Sequence, residues 1–318
     1  MNVINRVIFH TYLFKFNYMI IFCQQFFCLL TFIILSKTMK SFKNKVGEIS
    51  FNDFMKLKYK YITFAIVFIM NNVAGFLGNQ LVVNTPMFLT LRKLVLVMIF
   101  LNDIIFGKKK ISAFTSFCIF LVTFGSILAG IEDFSSEYKG YIIVLIYNSI
   151  TVIYNKLTET FKKSTGVPNL KLSVYNSLLS CPILLFLIIF TDEDKKVFAY
   201  FTQGKKFDGT YFGLCGYLIS SFSLCVGLLL TFFISNEKNS SLFTAMLSNS
   251  KDIAITLLSY FWLKETKFTF YVIGGLLIST VGALLISIKS MMDNLKSKEK
   301  KEYIPIGVID TEKGEGKA

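Results

Sequence analysis

Uncharged or nearly uncharged apolar stretches of about 20 residues recur along this chain, separated by short lysine-rich connections. They fall at roughly 18–36, 59–78, 86–106, 111–130, 140–158, 170–190, 211–234, 241–263 and 268–289. A helix of that length matches the hydrocarbon thickness of a bilayer, and nine of them leave no room for a sizeable soluble domain. Composition agrees, with 53% of the 318 residues hydrophobic, 17% charged and a mean hydropathy of +0.58. The expected fold class is all-α, a polytopic membrane bundle. Residues 1–290 form the transmembrane domain, and 291–318 form a basic cytosolic tail expected to be disordered. The stretch from Asn2 to Asn17 is amphiphilic and too short to span alone.

The net charge of +14 would suggest nucleic acid in a soluble protein, but no soluble domain presents a basic patch. Instead the lysines alternate between connections. One set holds Lys37 to Lys58, Lys108 to Lys110, Lys162, Lys163 and Lys171, and the tail Lys296 to Lys301. The other set is near-neutral or acidic, as at Glu132, Asp133 and Glu137. Positive loops mark the cytosolic face, so the C-terminus is expected in the cytosol. With nine spans the N-terminus then falls on the lumenal side, an odd arrangement without a signal sequence, and it points to a first helix missing from the start. The six cysteines all lie in apolar runs and read as small hydrophobes, and a single histidine excludes multi-histidine metal sites.

A shift of about 157 residues lays Thr85–Ala129 over Leu242–Ile286 and sets Gly125 opposite Gly282. Such an echo predicts two halves, about 1–135 and 136–290, each of five spans and inverted relative to the other. Gly275, Ser279 and Ala283, and likewise Gly125 and Ala129, supply small residues for close helix packing.

Ionisable residues inside spans are the strongest functional signal. A charge at the bilayer centre costs about 2.5–3.5 kcal/mol on insertion scales, and Lys251 lies at the middle of its span, behind Ser248, Asn249 and Ser250. It faces either an aqueous substrate cavity or a carboxylate on another helix. Arg92, one of two arginines in the chain, and Lys93 sit one to two turns into the 86–106 span, where snorkelling is the rival reading. Gln24, Gln25, Asn71, Asn72, Tyr147, Asn148, Tyr175 and Asn176 can read a base or sugar hydroxyls, or serve as interhelical glue. Asp192-Glu193-Asp194 is a D-x-D pattern that could hold a divalent metal in a membrane-embedded glycosyltransferase. A solvated loop is the preferred reading of it.

The segment Asn84-Thr85-Pro86-Met87-Phe88-Leu89-Thr90-Leu91-Arg92-Lys93 resembles the "NTPMF-T-x-x-R-R" stretch of nucleotide-sugar transporters in the drug/metabolite transporter superfamily. Val174-Tyr175-Asn176-Ser177-Leu178-Leu179-Ser180 is similar to their "FYNN-LLS" motif, and Ser248-Asn249-Ser250-Lys251 stands where they carry a lysine. The resemblance runs from about residue 2 to 290, with Asn5-Arg6 and Phe14-Lys15-Phe16 similar to the end of the family's first of ten helices. It implies a ten-helix inverted-repeat bundle in a Golgi-type membrane, with the endoplasmic reticulum as the other candidate. The implied activity is exchange of cytosolic nucleotide-sugar, UDP-sugar favoured over GDP-mannose, for lumenal nucleoside monophosphate, without enzymatic activity or cofactor. A homodimer is compatible with it. The implied substrate-binding residues are Lys251, Asn249, Ser250, Tyr175, Asn176, Arg92, Lys93 and Asn148. A sugar-phosphate carrier of the same superfamily is the alternative, with a glycosyltransferase or a non-transporting scaffold more remote.

Overall fold

The computed structural model describes residues 1–38, 42, 51–82, 85–105, 112–130, 138–167, 169–202, 210–238, 255 and 269–302. Among these residues helix is the regular structure present, without strands. Ten helices follow in order: α1 Asn2–His10, α2 Asn17–Thr38, α3 Phe51–Leu81, α4 Thr85–Ile105, α5 Ala113–Gly130, α6 Tyr138–Thr165, α7 Asn169–Phe190, α8 Glu193–Thr202, α9 Tyr211–Lys238 and α10 Phe270–Glu302. Eight of the nine expected spans are therefore seen as helices, and 241–263 lies outside the described residues. Among the described residues four stretches are long and apolar enough to cross a bilayer: Asn17–Thr38, Leu57–Leu81, Tyr138–Thr158 and Lys171–Phe190. Their outer faces carry Phe186, Phe190, Ile34 and Met70 in the open, a surface suited to lipid rather than water. The protein is a polytopic helical membrane protein.

One element departs from the sequence expectation. Helix α10 continues to Glu302, beyond the boundary expected at 290. The N-terminal stretch is amphiphilic as expected, and it packs into the bundle: Ile8 and Phe9 of α1 are wholly enclosed, packed with Phe14 of the following turn and with Ile20, Ile69, Leu184 and Leu214 from four other helices. Helix α1 ends at His10, and Leu13 beyond it takes a left-handed φ of 53°. After α6 the chain turns through Gly166 at φ 65°, the left-handed position where glycine costs least.

Helix ends in a bilayer expose backbone groups that no water meets, so distant side chains close them. Arg6 is buried, and its Nη1 donates to the carbonyls of Asn79 at 2.8 Å and Val82 at 2.9 Å, which terminate α3. A cation there also complements the negative end of the helix dipole. At the opposite polarity, the Glu193 carboxylate accepts from the backbone N–H of Met19 at 2.9 Å and of Tyr18 at 3.4 Å, the first turn of α2.

Among the described residues α5 and α10 pack backbone to backbone. An ideal Cβ on Gly125 would lie 2.6 Å from the Gly275 carbonyl and 2.5 Å from the Ser279 nitrogen. One on Gly282 would lie 3.0 Å from the Cys118 carbonyl and 2.9 Å from Val122. The shift of about 157 residues carries Gly125 to Gly282, Cys118 to Gly275 and Val122 to Ser279, so it converts the first pair of contacts into the second. An antiparallel pair with that property meets across a local two-fold axis. Elsewhere the six cysteines are free, with the Cys28 and Cys225 sulfurs 3.9 Å apart between α2 and α9.

Two adjacent glycines separate packing from mere composition. Gly275→Ala drives a methyl into the α5 backbone and is expected to lower stability by about 2 kcal/mol. Gly274→Ala, with nothing within 4 Å, is expected to be neutral or slightly stabilising. Melting curves in detergent compare the two. Arg6→Met, which leaves two carbonyls without their cationic donor, is expected to cost about 3 kcal/mol in the same assay.

Candidate functional site

A cavity of about 340 Å³ opens among α1, α3, α4 and α6, within the usual range for small-molecule sites. Helical periodicity explains its walls. On α4 the face at Phe88, Leu89, Arg92, Lys93 and Leu96 turns toward it. On α3 the face at Asn72, Gly75, Phe76 and Asn79 does the same, and Asn2 and Asn5 close it from α1. The result is a chamber with cations on one wall, amides on the others and aromatic rings between.

Arg92 is half-buried, with its guanidinium carbon 4.1 Å from the centroid of the Tyr147 ring on α6. The Tyr147 ring in turn lies nearly parallel to Phe88, at 6.4 Å and 10°. Lys93, in the same wall, turns its ammonium to α10. It is buried, and its ammonium donates to Ser279 Oγ at 3.2 Å and Thr280 Oγ1 at 2.5 Å on α10. Both hydroxyls spend their own protons on the Leu276 carbonyl, which leaves their lone pairs for the lysine. The two cations take different roles. One addresses the cavity over an aromatic ring, and the other ties α4 to the α5–α10 seam.

The amides divide in the same way. Asn5 Oδ1 accepts from Ser221 at 2.6 Å, and Gln24 donates to that serine at 3.0 Å, a chain linking α1, α9 and α2. Asn79 donates to the Asn2 carbonyl at 3.2 Å, while its Oδ1 has no partner among the described residues. Asn148 is wholly buried and donates to the Leu91 carbonyl at 2.9 Å, an interhelical tie behind Arg92. Tyr175 and Asn176 stand on α7, outside the cavity wall that holds Arg92. Tyr175 packs on Tyr61 at 4.7 Å in an aromatic cluster with Phe161, and Ser177 donates to Gln25 at 3.0 Å. The Oδ1 of Asn176 is buried without a partner among the described residues. Asn249, Ser250 and Lys251 lie outside the described residues.

The acidic triplet resolves into separate roles. Asp192 pairs with Lys195 at 2.6 Å, and that hydrogen bond draws its carboxyl below the ordinary range. Glu193 is buried rather than solvated, and burial raises its carboxyl even as the α2 amides pull the other way. Among the described residues no group of three or more histidine, cysteine or acidic side chains could hold a metal.

The residues missed by sequence reasoning are Gly75, Asn79 and Asn5. For Gly75 and Asn79 the signal was present only in the helical spacing Asn72, Gly75, Asn79, which cannot be told from ordinary packing without the partner helices.

No protein-family model matches the chain. It is similar to the UDP-galactose/UDP-glucose transporter 7 of Arabidopsis thaliana, 27% identical over 227 residues, which cover 70% of this chain and 67% of that protein. It is also similar to the UDP-sugar transporter sqv-7 of Caenorhabditis elegans, 21% identical across 78% of this chain and 75% of that protein. The UDP-sugar transporter UST74c of Drosophila melanogaster is 24% identical across 77% of this chain, which spans 64% of its length. The motif resemblance and these similarities agree: the chain is a membrane protein related to the nucleotide-sugar transporters.

Proposed function

We propose that the protein carries UDP-sugars across a Golgi-type membrane, exchanging them for the nucleoside monophosphate by alternating access of two inverted halves, about 1–135 and 136–290. The observation that supports this most directly is Arg92, held beside a chamber of amides and aromatic rings inside the membrane. A nucleotide-sugar has the complementary chemistry. Its diphosphate needs a desolvated cation, its hydroxyls and base edge need amide donors and acceptors, and its base needs an aromatic wall. The relatives' names, which specify UDP-sugars, favour that cargo over a free sugar phosphate. Lys251, from the 241–263 span, is proposed as the second phosphate ligand, with Asn249 and Ser250 beside it. Tyr175 and Asn176 are proposed to read the base when the bundle closes on cargo. A cytosolic C-terminus is proposed from the lysine-rich connections.

Purified protein in liposomes preloaded with UMP is expected to take up labelled UDP-galactose or UDP-glucose. External UMP should compete, while GMP and free sugar phosphate should not. Competition by the sugar phosphate and not by UMP would transfer the assignment to a sugar-phosphate carrier. Both Lys251→Ala and Arg92→Gln are expected to lower uptake at least roughly tenfold while leaving membrane insertion intact, since each removes a charge-assisted hydrogen bond to phosphate.

A further inference from the structure

Gly75, Tyr147 and Arg92 come from three different helices, and their contacts run in one line. An ideal Cβ on Gly75 would lie 2.8 Å from Tyr147 Cζ and 3.2 Å from its Cε2, closer than packed atoms approach. Glycine at this position on α3 is therefore what leaves a notch for the ring. The ring lies in that notch with Phe88 stacked nearly parallel to it and with the Arg92 guanidinium over its face at 4.1 Å. All four residues line the cavity.

The chemistry of a guanidinium gives this order a consequence. Its face is weakly hydrated and stacks on aromatic rings, while its five N–H donors lie in the plane and match two phosphate oxygens at once. A flexible arginine must be ordered when it binds, at an entropic cost, and a stacked one is ordered beforehand. We infer that Tyr147 is the positioning residue of the anion site: seated in the Gly75 notch, its ring holds Arg92 flat so that the in-plane donors meet the diphosphate of the cargo. The choice of diphosphate as ligand rests on the proposed nucleotide-sugar function. The seating of arginine by tyrosine rests on the geometry alone. Tyr147 acts through Arg92 and need not touch cargo, and its hydroxyl has no part in the stacking.

Four predictions distinguish this from a merely structural ring. Tyr147→Phe keeps the face and is expected to stay within about twofold of wild type in KM for UDP-galactose. Tyr147→Leu removes the face, and Gly75→Ala pushes the ring out of its notch from the other side. Each is expected to raise KM roughly tenfold with little change in maximal rate, at an unchanged melting temperature in detergent. On an Arg92→Gln background Tyr147→Leu should add no further loss, because the residue it positions is gone. A KM unchanged in Tyr147→Leu and Gly75→Ala, or a loss that adds fully to that of Arg92→Gln, would overturn the inference. The same variants are scored by the thermal stabilisation that inorganic pyrophosphate gives the purified full chain. If wild type is stabilised by pyrophosphate yet exchanges no UDP-sugar, the cargo assignment fails, and loss of that stabilisation in Tyr147→Leu but not in Tyr147→Phe still supports the positioning role. A wild type that responds to neither pyrophosphate nor UDP-galactose defeats both.

Discussion

A polar group in the hydrocarbon layer has no water to turn to, and the long-range contacts of this fold follow from that constraint. Arg6 reaches across 73 residues of sequence to close the end of α3, and Glu193 reaches back 174 residues to open α2. Lys93 binds hydroxyls on α10, and Asn148 holds a carbonyl on α4. Each of these side chains satisfies a backbone or hydroxyl group on a different helix. They fix the relative position of helices whose apolar surfaces alone would slide in lipid, since tails are as apolar as the leucines facing them.

That constraint also sets what the sequence could disclose. The spans were legible because lipid demands a length and a hydropathy that few soluble helices meet, and α2 and α7 match expectation to within about two residues at each end. The α5–α10 seam was partly legible, since the repeat placed Gly125 and Gly282 in equivalent positions. The actual contacts pair Gly125 with Gly275 and Gly282 with Cys118, which only the crossing of the two helices determines. The partners of the polar residues were not legible at all. An asparagine that ties helices and an asparagine that lines a chamber are the same residue in the same apolar run. Asn148 and Asn79 differ only in what stands opposite them.

The acidic triplet 192–194 shows the same limit from the side of a false lead. As a string it matches a metal-binding pattern. In the fold Asp192 has turned to Lys195 with a left-handed φ of 52°, and Glu193 is spent on the N-terminus of α2. Spacing in sequence placed two carboxylates near each other, and local backbone geometry then sent them to different partners.

The two arginines of the chain make the distinction between structure and function concrete. Both are held inside the bundle, and both are restrained by neighbours, yet they differ in which part of the guanidinium the protein uses. Arg6 gives in-plane N–H groups to two carbonyls, so its hydrogen-bonding capacity is turned to the end of a helix. Arg92 has its guanidinium carbon over the Tyr147 ring, a contact made through the face of the group rather than through its N–H donors. An aromatic ring can restrain a cation without adding a counter-charge beside it. The glycine at position 75 is the feature on α3 that makes room for the stack.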